Sequence, residues 1–455
     1  MTGTGLFHCE LAWLGGAAVA RDVLIEVAAG TIAAIDTDVS APAGATRLRG
    51  ITLPGLANAH SHAFHRALRS RTQTGPGTFW TWRDDMYRLA ATLDPDSYHR
   101  LARATFAEMV ESGITCVGEF HYVHHSPDGT PYADPNAMSV ALTAAAEEAG
   151  LRMTLLDACY LGSGLDPDGA LRAVEGTQLR FSDGSAEGWS ERVEAMQSQA
   201  GPSLRVAGAI HSVRAVDPES IGTIAGWACE RACVVHAHVS EQPIENEQCH
   251  HAYSRSPLGL LADCGALTGA FTAVHATHVT EHDISLLAGA GSGVCMCPTT
   301  ERDLGDGIAP TAAFRDSSVA ICLGSDSHAV VDLFEEARAV ELDERLSSGR
   351  RGTHAAVELL EAATVHGHRS LGWPEAGTIA VGAPADLVCV DLRTARTAGA
   401  GDEHALAAVV FAAAARDVTD VIVGGRPTIS GGRHLTIDVV DELEASVRAV
   451  WDAAS

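Results

Sequence analysis

The sequence contains no lysine, so all 31 of its basic side chains are arginine. That absence excludes a lysine Schiff base, a catalytic lysine amine and a carbamylated lysine bridging two metal ions. Any carboxylate bound here must be met by arginine, histidine, tyrosine, amides or backbone N–H groups, and a planar guanidinium suits bidentate carboxylate recognition. Positive charge is scarce altogether. A formal net charge of -27 over 455 residues argues against a nucleic-acid partner, whose phosphates need clustered cations; an acidic surface mainly serves solubility. No apolar run reaches membrane-spanning length, so no membrane partner is expected. The 11 cysteines are scattered through apolar contexts such as "GVCMCP" and "VAICLG", and the opening "MTGTGLFHCELAWLGG" has no charged segment followed by a long apolar core. These features predict a reduced, cytoplasmic protein, with Cys295 and Cys297 packed in its interior.

What is present is an alternation. Eight short apolar runs read as strands: "GLANAHSH", "ITCVGEFHY", "RMTLLDACYL", "RVAGAIHSV", "CVVHAHVS", "FTAVHATHV", "GVCMCPTT" and "AICLGSDS". Amphipathic segments such as "NAMSVALTAAAEEAG" and "DLFEEARAVELDERL" fall between them. Eight strand and helix units predict an α/β fold, a (β/α)8 TIM-like barrel over residues 51–372. The flanks, residues 1–50 and 373–455, share a different texture of short β runs and Gly-rich turns, as in "DVLIEVAAGTIAAIDTDV" and "DVTDVIVGGRPTISGG". They are expected to pair into one small β-sandwich module, with a helix at the end of the chain.

Most of the eight runs begin apolar and finish in His, Asp, Glu, Tyr, Ser or Thr, which gathers reactive groups at the carboxyl ends of the strands, where such barrels do their chemistry. His60 and His62 are two apart and share a strand face, as metal ligands do; His65, three further on, has left the strand. Run five supplies His238 with Glu241 three positions later, close enough for a carboxylate to shuttle a proton. His236 shares the face of His238 by parity, and adjacency to Glu241 favours His238. His275 ends run six and can polarise the attacked group. Asp326 ends run eight, where an isolated carboxylate is costly unless it meets a cation. Three imidazoles and a carboxylate suit one Zn²⁺ with an open coordination position, and Fe²⁺ or Mn²⁺ fit the same set.

The segments "PGLANAHSH", "HVSEQ", "VHATH" and "GSDSH", in that order and followed by "GTIAVGAPADLVCVD", resemble the amidohydrolase superfamily, in the branch that hydrolyses C–N bonds with one metal. "FWTWRDDMY", "GITCVGEFHYVHH", "AIHSVRAV" and "CPTTERDLGDG" are similar, within it, to the N-formimidoyl-L-glutamate deiminases of histidine breakdown, over nearly the whole chain. The resemblance implies hydrolysis of that dicarboxylate amidine to N-formyl-L-glutamate and ammonia by a homodimer. It implies that His60, His62, His238 and Asp326 hold the metal, with Asp326 also taking the water proton. Glu241 and His275 are then the acid/base and electrostatic groups, and Arg83, Tyr122, His211 and Arg214 hold the carboxylates. Arg83 lies in a long insertion expected to be a closing loop, in cis or from a neighbouring subunit. His65 is a departure, standing where the family shows Gln; an imidazole there makes substrate positioning depend on pH. The competing expectations are a deaminase of guanine, of an adenosine derivative or of a related formimino amino acid, and a barrel that only binds.

Overall fold

In the computed structural model, which describes residues 3–454, the two flanks meet in one mixed sheet. Strands β1 (Gly5–Ala12), β2 (Ala20–Ala28), β3 (Thr31–Asp36) and β4 (Thr46–Pro54) come from the amino-terminal flank. Alternation is clear in β2, where Val23, Ile25 and Val27 are buried and Glu26 is exposed, the mark of a sheet with one covered face. Near the other end of the chain, β13 (Leu387–Val390) pairs antiparallel with β4, and β14 (Val418–Val423) extends the sheet. Phe7, Cys9, Ile25, Leu387, Cys389 and Ile422 close one small core. The module is therefore one continuous sheet folded over its own apolar face.

The barrel follows without a break. Its strands are β5 (Leu56–Ser61), β6 (Ile114–His121), β7 (Arg152–Cys159), β8 (Leu204–Ile210), β9 (Val235–Val239), β10 (Phe271–His275), β11 (Gly293–Met296) and β12 (Ile321–Leu323). All eight predicted runs supply one strand each, paired parallel in chain order. β6 and β7 are buried at every position, because helices cover one face and the barrel core the other; that is why these strands read as apolar runs rather than alternations. The barrel closes at its mouth. Ser61 bridges Asp326 in parallel, the Asp326 N–H donates to the His60 carbonyl at 3.0 Å and the His62 N–H to the Asp326 carbonyl at 3.3 Å. The closing seam thus runs through three of the expected ligands.

Between β5 and β6 lie a 3₁₀ turn (Ala63–Leu68) and two helices, α1 (Phe79–Ala90) and α2 (Pro95–Glu111). The expected closing loop around Arg83 is a helix. Thr81 Oγ1 accepts the Thr78 N–H at 2.9 Å to start it, and Phe79, Met86, Leu89 and Ala90 anchor its buried face. The sequence expectation missed this helix because the Gly- and Thr-rich stretch before it masks its start. The terminal helix (Val439–Ala454) packs against α2, and Trp451 Nε1–H donates to the Ala67 carbonyl at 2.7 Å, bracing the insertion. No helix among the described residues is long and apolar enough to cross a membrane.

Candidate active site

His60 Nε2 faces His238 Nε2 at 3.2 Å and Asp326 Oδ1 at 3.5 Å, and His62 Nε2 lies 3.4 Å from the same oxygen. Four ligand atoms around a tetrahedral zinc, each about 2.05 Å from it, stand about 3.3 Å apart. These three spacings are compatible with one small divalent ion, and His60, His62 and His238 form a ligand-spaced group. The far ring nitrogens are fixed by main chain: His62 Nδ1 donates to the Phe120 carbonyl and His238 Nδ1 to the His211 carbonyl, each at 2.8 Å. That leaves both Nε2 lone pairs pointing inward, as ligation requires. Burial holds the His60, His62 and His238 imidazoles below their ordinary pKa, in the neutral, ligating form. Burial pushes Asp326 up, but the His60, His275 and His62 rings packed around it outweigh that and hold the carboxyl well below its usual range. These residues can hold the metal that the donor set implies.

Beside this group His275 is gripped from both sides. Its Nε2, with no hydrogen-bond partner among the described residues, is 3.7 Å from both Glu241 Oε1 and Asp326 Oδ2, and its Nδ1 is 3.4 Å from Glu301 Oε1. Burial alone would lower the His275 pKa; Glu241, Glu301 and Asp326 reverse that and push it up to about 10. Burial raises the Glu241 carboxyl, opposed by His275 and Arg214. His275 and Asp326 adopt φ of +70° and +44°, left-handed conformations that cost about 1–3 kcal/mol for such residues and cluster where strand ends must aim side chains at a site.

His236 is settled by its partner. Its ring also faces the barrel interior, but Nε2 is bound to the Ser370 carbonyl at 2.9 Å, deeper in the barrel, so it is His238 that joins the cluster. A second buried group, His121, His124 and Asp157, also has ligand-like spacing. Arg192 already holds both Asp157 oxygens, at 2.7 and 2.8 Å, so the charge a cation would meet there is already neutralised.

Around this cluster the cleft carries different chemistry. Tyr122 OH lies 2.9 Å from His65 Nε2 on the 3₁₀ turn. Arg214, just past β8, donates from Nε to Glu245 at 3.2 Å and has Nη2 3.9 Å from Glu241. His211 is held neutral by burial first and by Arg214 and Arg83 second. Arg83 stacks on Trp80 at 4.5 Å and on Tyr87 at 5.4 Å and forms no ion pair among the described residues. It reaches the cleft from its own chain. Of the eleven residues singled out in the sequence, all except His60 line this one cleft; His60 lies fully buried against His62 and His238.

Three supporting carboxylates escaped the sequence reading. Glu301 accepts the Cys297 N–H at 2.9 Å and orients His275; Glu245 orients Arg214. Glu119 accepts Ser61 Oγ–H at 2.6 Å and Ala63 N–H at 2.7 Å, pinning the strand end that carries His60 and His62. Burial pushes Glu119 up to about 8. Its signal was a lone acid inside the apolar run "TCVGEF".

The amidohydrolase family model matches residues 51–428. Formimidoylglutamate deiminase of Pseudomonas aeruginosa is 38% identical over 429 residues, spanning 91% of this chain and 92% of that protein. The 5-methylthioadenosine/S-adenosylhomocysteine deaminase of Natronomonas pharaonis is 27% identical over 421 residues, 92% of this chain and 90% of that one. The crystal structure of an amidohydrolase from Brucella melitensis superposes with a TM-score of 0.90 at 32% identity, covering 98% of this chain and all of that chain. An adenosine deaminase from Xanthomonas campestris with bound zinc shares the fold, with a TM-score of 0.84 at 24% identity, covering 100% of this chain and 99% of that one. With the barrel, the convergent imidazoles and carboxylate at its mouth, and a family match over most of its length, this chain belongs to the amidohydrolase family.

Proposed function

We propose that the protein is a zinc-dependent N-formimidoyl-L-glutamate deiminase, releasing ammonia and N-formyl-L-glutamate. The observation that carries this reading is the pairing, in one cleft, of a metal-competent cluster with two arginines, Arg83 and Arg214. One of these, Arg83, pairs with no carboxylate among the described residues although the chain is strongly acidic. A cation left unpaired in a cleft is a receptor for an anion, and a substrate with a reacting amidine at one end and carboxylates at the other fits that polarity. The relative from Pseudomonas aeruginosa bears the corresponding name. The same reading includes a cytoplasmic homodimer.

His60, His62, His238 and Asp326 would hold a divalent ion, which would supply Lewis acidity and lower the pKa of a water toward neutrality. Asp326 takes the proton from the attacking water on Oδ2, the oxygen that faces His275. Attack forms a C–O bond at the formimidoyl carbon as the C=N π bond opens onto nitrogen, and the His275 imidazolium offsets the charge that builds on the new oxygen when the adduct collapses. Glu241, held above the usual carboxylate range, carries a proton to the terminal nitrogen. Glu241 takes back the proton of the new hydroxyl as the C–N bond breaks and the carbonyl of the formamide forms, and ammonia leaves with the proton held by Asp326, as ammonium. Arg83 and Arg214 hold the carboxylates, with His211, Tyr122 and His65 closing around the chain between.

A second reading, a nucleoside deaminase, draws on the relative from Natronomonas pharaonis and on the aromatic side chains Trp82, Tyr122, Tyr160 and Phe181 in the cleft. Ammonia release from N-formimidoyl-L-glutamate, its aspartate analogue, guanine and S-adenosylhomocysteine, with and without added zinc, separates the two. Turnover of the glutamate compound above all others supports the deiminase, and turnover of a purine alone replaces it.

A further inference from the structure

The cleft continues outward into a second hollow that shares Arg83, Tyr87, Ser163 and Arg214 with it. Beyond these, Arg172 and the amides Gln178 and Gln248 line the hollow, and no carboxylate among the described residues does. Arg214 is paired with Glu245, but Arg83 forms no ion pair among the described residues, so Arg83 and Arg172 leave positive charge open at this rim in a chain of net charge -27.

Arg172 is held at this rim by the loop that follows β7. Leu165 bridges Leu171, the Arg172 N–H donates to the Gly164 carbonyl, and the Ser163 N–H donates to the Arg172 carbonyl, both at 2.9 Å. The guanidinium lies across Gly164, in the space that any side chain at that position would fill. Its counter-charge is weak: Asp166 stands 3.7 Å from Nε, and both side chains are half exposed, so solvent screens the pair and leaves the cation available.

We propose that Arg172 is the outer capture residue of this site, holding a carboxylate of an incoming dicarboxylate at the mouth before Arg83 and Arg214 take it deeper. The inference rests on the deiminase reading for the inner site. Fixed cations lining a cleft with low-dielectric walls focus their field on an approaching anion and raise its encounter rate, an effect that salt weakens.

The test compares Arg172→Gln, Arg172→Lys and, as a charge-matched control, Arg350→Gln on an exposed loop outside the cleft. Two measurements are made on the zinc-loaded protein: kcat and kcat/KM for N-formimidoyl-L-glutamate across a range of ionic strength, and glutarate binding followed by the fluorescence of Trp80 and Trp82. Arg172→Gln is expected to lower kcat/KM about three- to tenfold at low salt, flatten its salt dependence and leave kcat unchanged. Arg172→Lys restores most of the loss. Equal kcat/KM and equal salt dependence in Arg172→Gln and Arg350→Gln overturn the proposal. If the parent releases no ammonia from this substrate, the deiminase reading fails and glutarate decides. Weaker binding in Arg172→Gln than in Arg350→Gln then keeps the capture role, and equal binding removes it.

Discussion

The two walls of the cleft are built differently. On the metal side, His60, His62, His238, His275 and Asp326 sit on or directly after barrel strands, are at most 7% exposed, and are aimed by main-chain carbonyls and buried carboxylates. The cations of the cleft are carried differently: Arg83 rides on an inserted helix, Arg172 on a loop, and Arg214 on the segment after β8. Rigid, dry strand ends hold ligand atoms to within fractions of an ångström, as ion binding and proton transfer demand. Insertions tolerate change, which suits the part that distinguishes one substrate from another. The 27% and 38% identical relatives carry different substrate names, as such a division leads one to expect.

The comparison breaks most sharply at Glu241. Glu241→Gln should lower kcat by about 10²- to 10⁴-fold while zinc content by atomic emission stays at the parental value; substantial remaining activity removes its proton-transfer role. On the other wall, Arg214→Gln should cost about 2–5 kcal/mol in kcat/KM, seen mainly as a raised KM, with metal content again unchanged. A fall confined to kcat would move Arg214 to the chemical wall. Arg83→Gln removes a partly exposed cation, and a loss of about 1.5 kcal/mol is expected, with KM again carrying it. Should Arg83→Gln bind the substrate as well as the parent, the carboxylate wall has been misread.

The smallest effect concerns stability. Glu119 has a folded-state pKa of about 8 against an ordinary 4.5. Between those values the native protein keeps a proton that the unfolded chain releases, so stability is lost as pH rises from 4.5 through 8, by roughly a few kcal/mol at most. Glu119→Gln keeps the shape and the contacts to Ser61 and Ala63 without a titrating group, and should flatten the fall in Tm over that range. Parallel Tm profiles for the two proteins would rule out Glu119 as the source.

Much of the metal wall was legible because strand periodicity and the two-residue spacing of His60 and His62 are local properties. Asp326 was legible for a related reason: an acid ending an apolar run needs a cation wherever the run goes. Parity alone sends both His236 and His238 inward; adjacency to Glu241 favoured His238, and the bond from His236 to the Ser370 carbonyl agrees with that choice. Glu301 and Glu245 were hidden among other acids, because what distinguishes them is a contact with His275 or Arg214 made across the barrel. Arg83 was legible as a cation among aromatics but was expected on a loop.

By itself the sequence determined the order of eight strands, the module formed by the two flanks, and the residue types at the barrel mouth, all of which follow from local patterns of burial and backbone preference. Only the tertiary structure decided which carboxylates brace the site, which are paired with arginine, as Asp157 is with Arg192, and which cations are left unpaired. Those outcomes depend on distances between segments far apart in the chain, and the energy of a buried charge is set by its nearest neighbours in space, not in sequence.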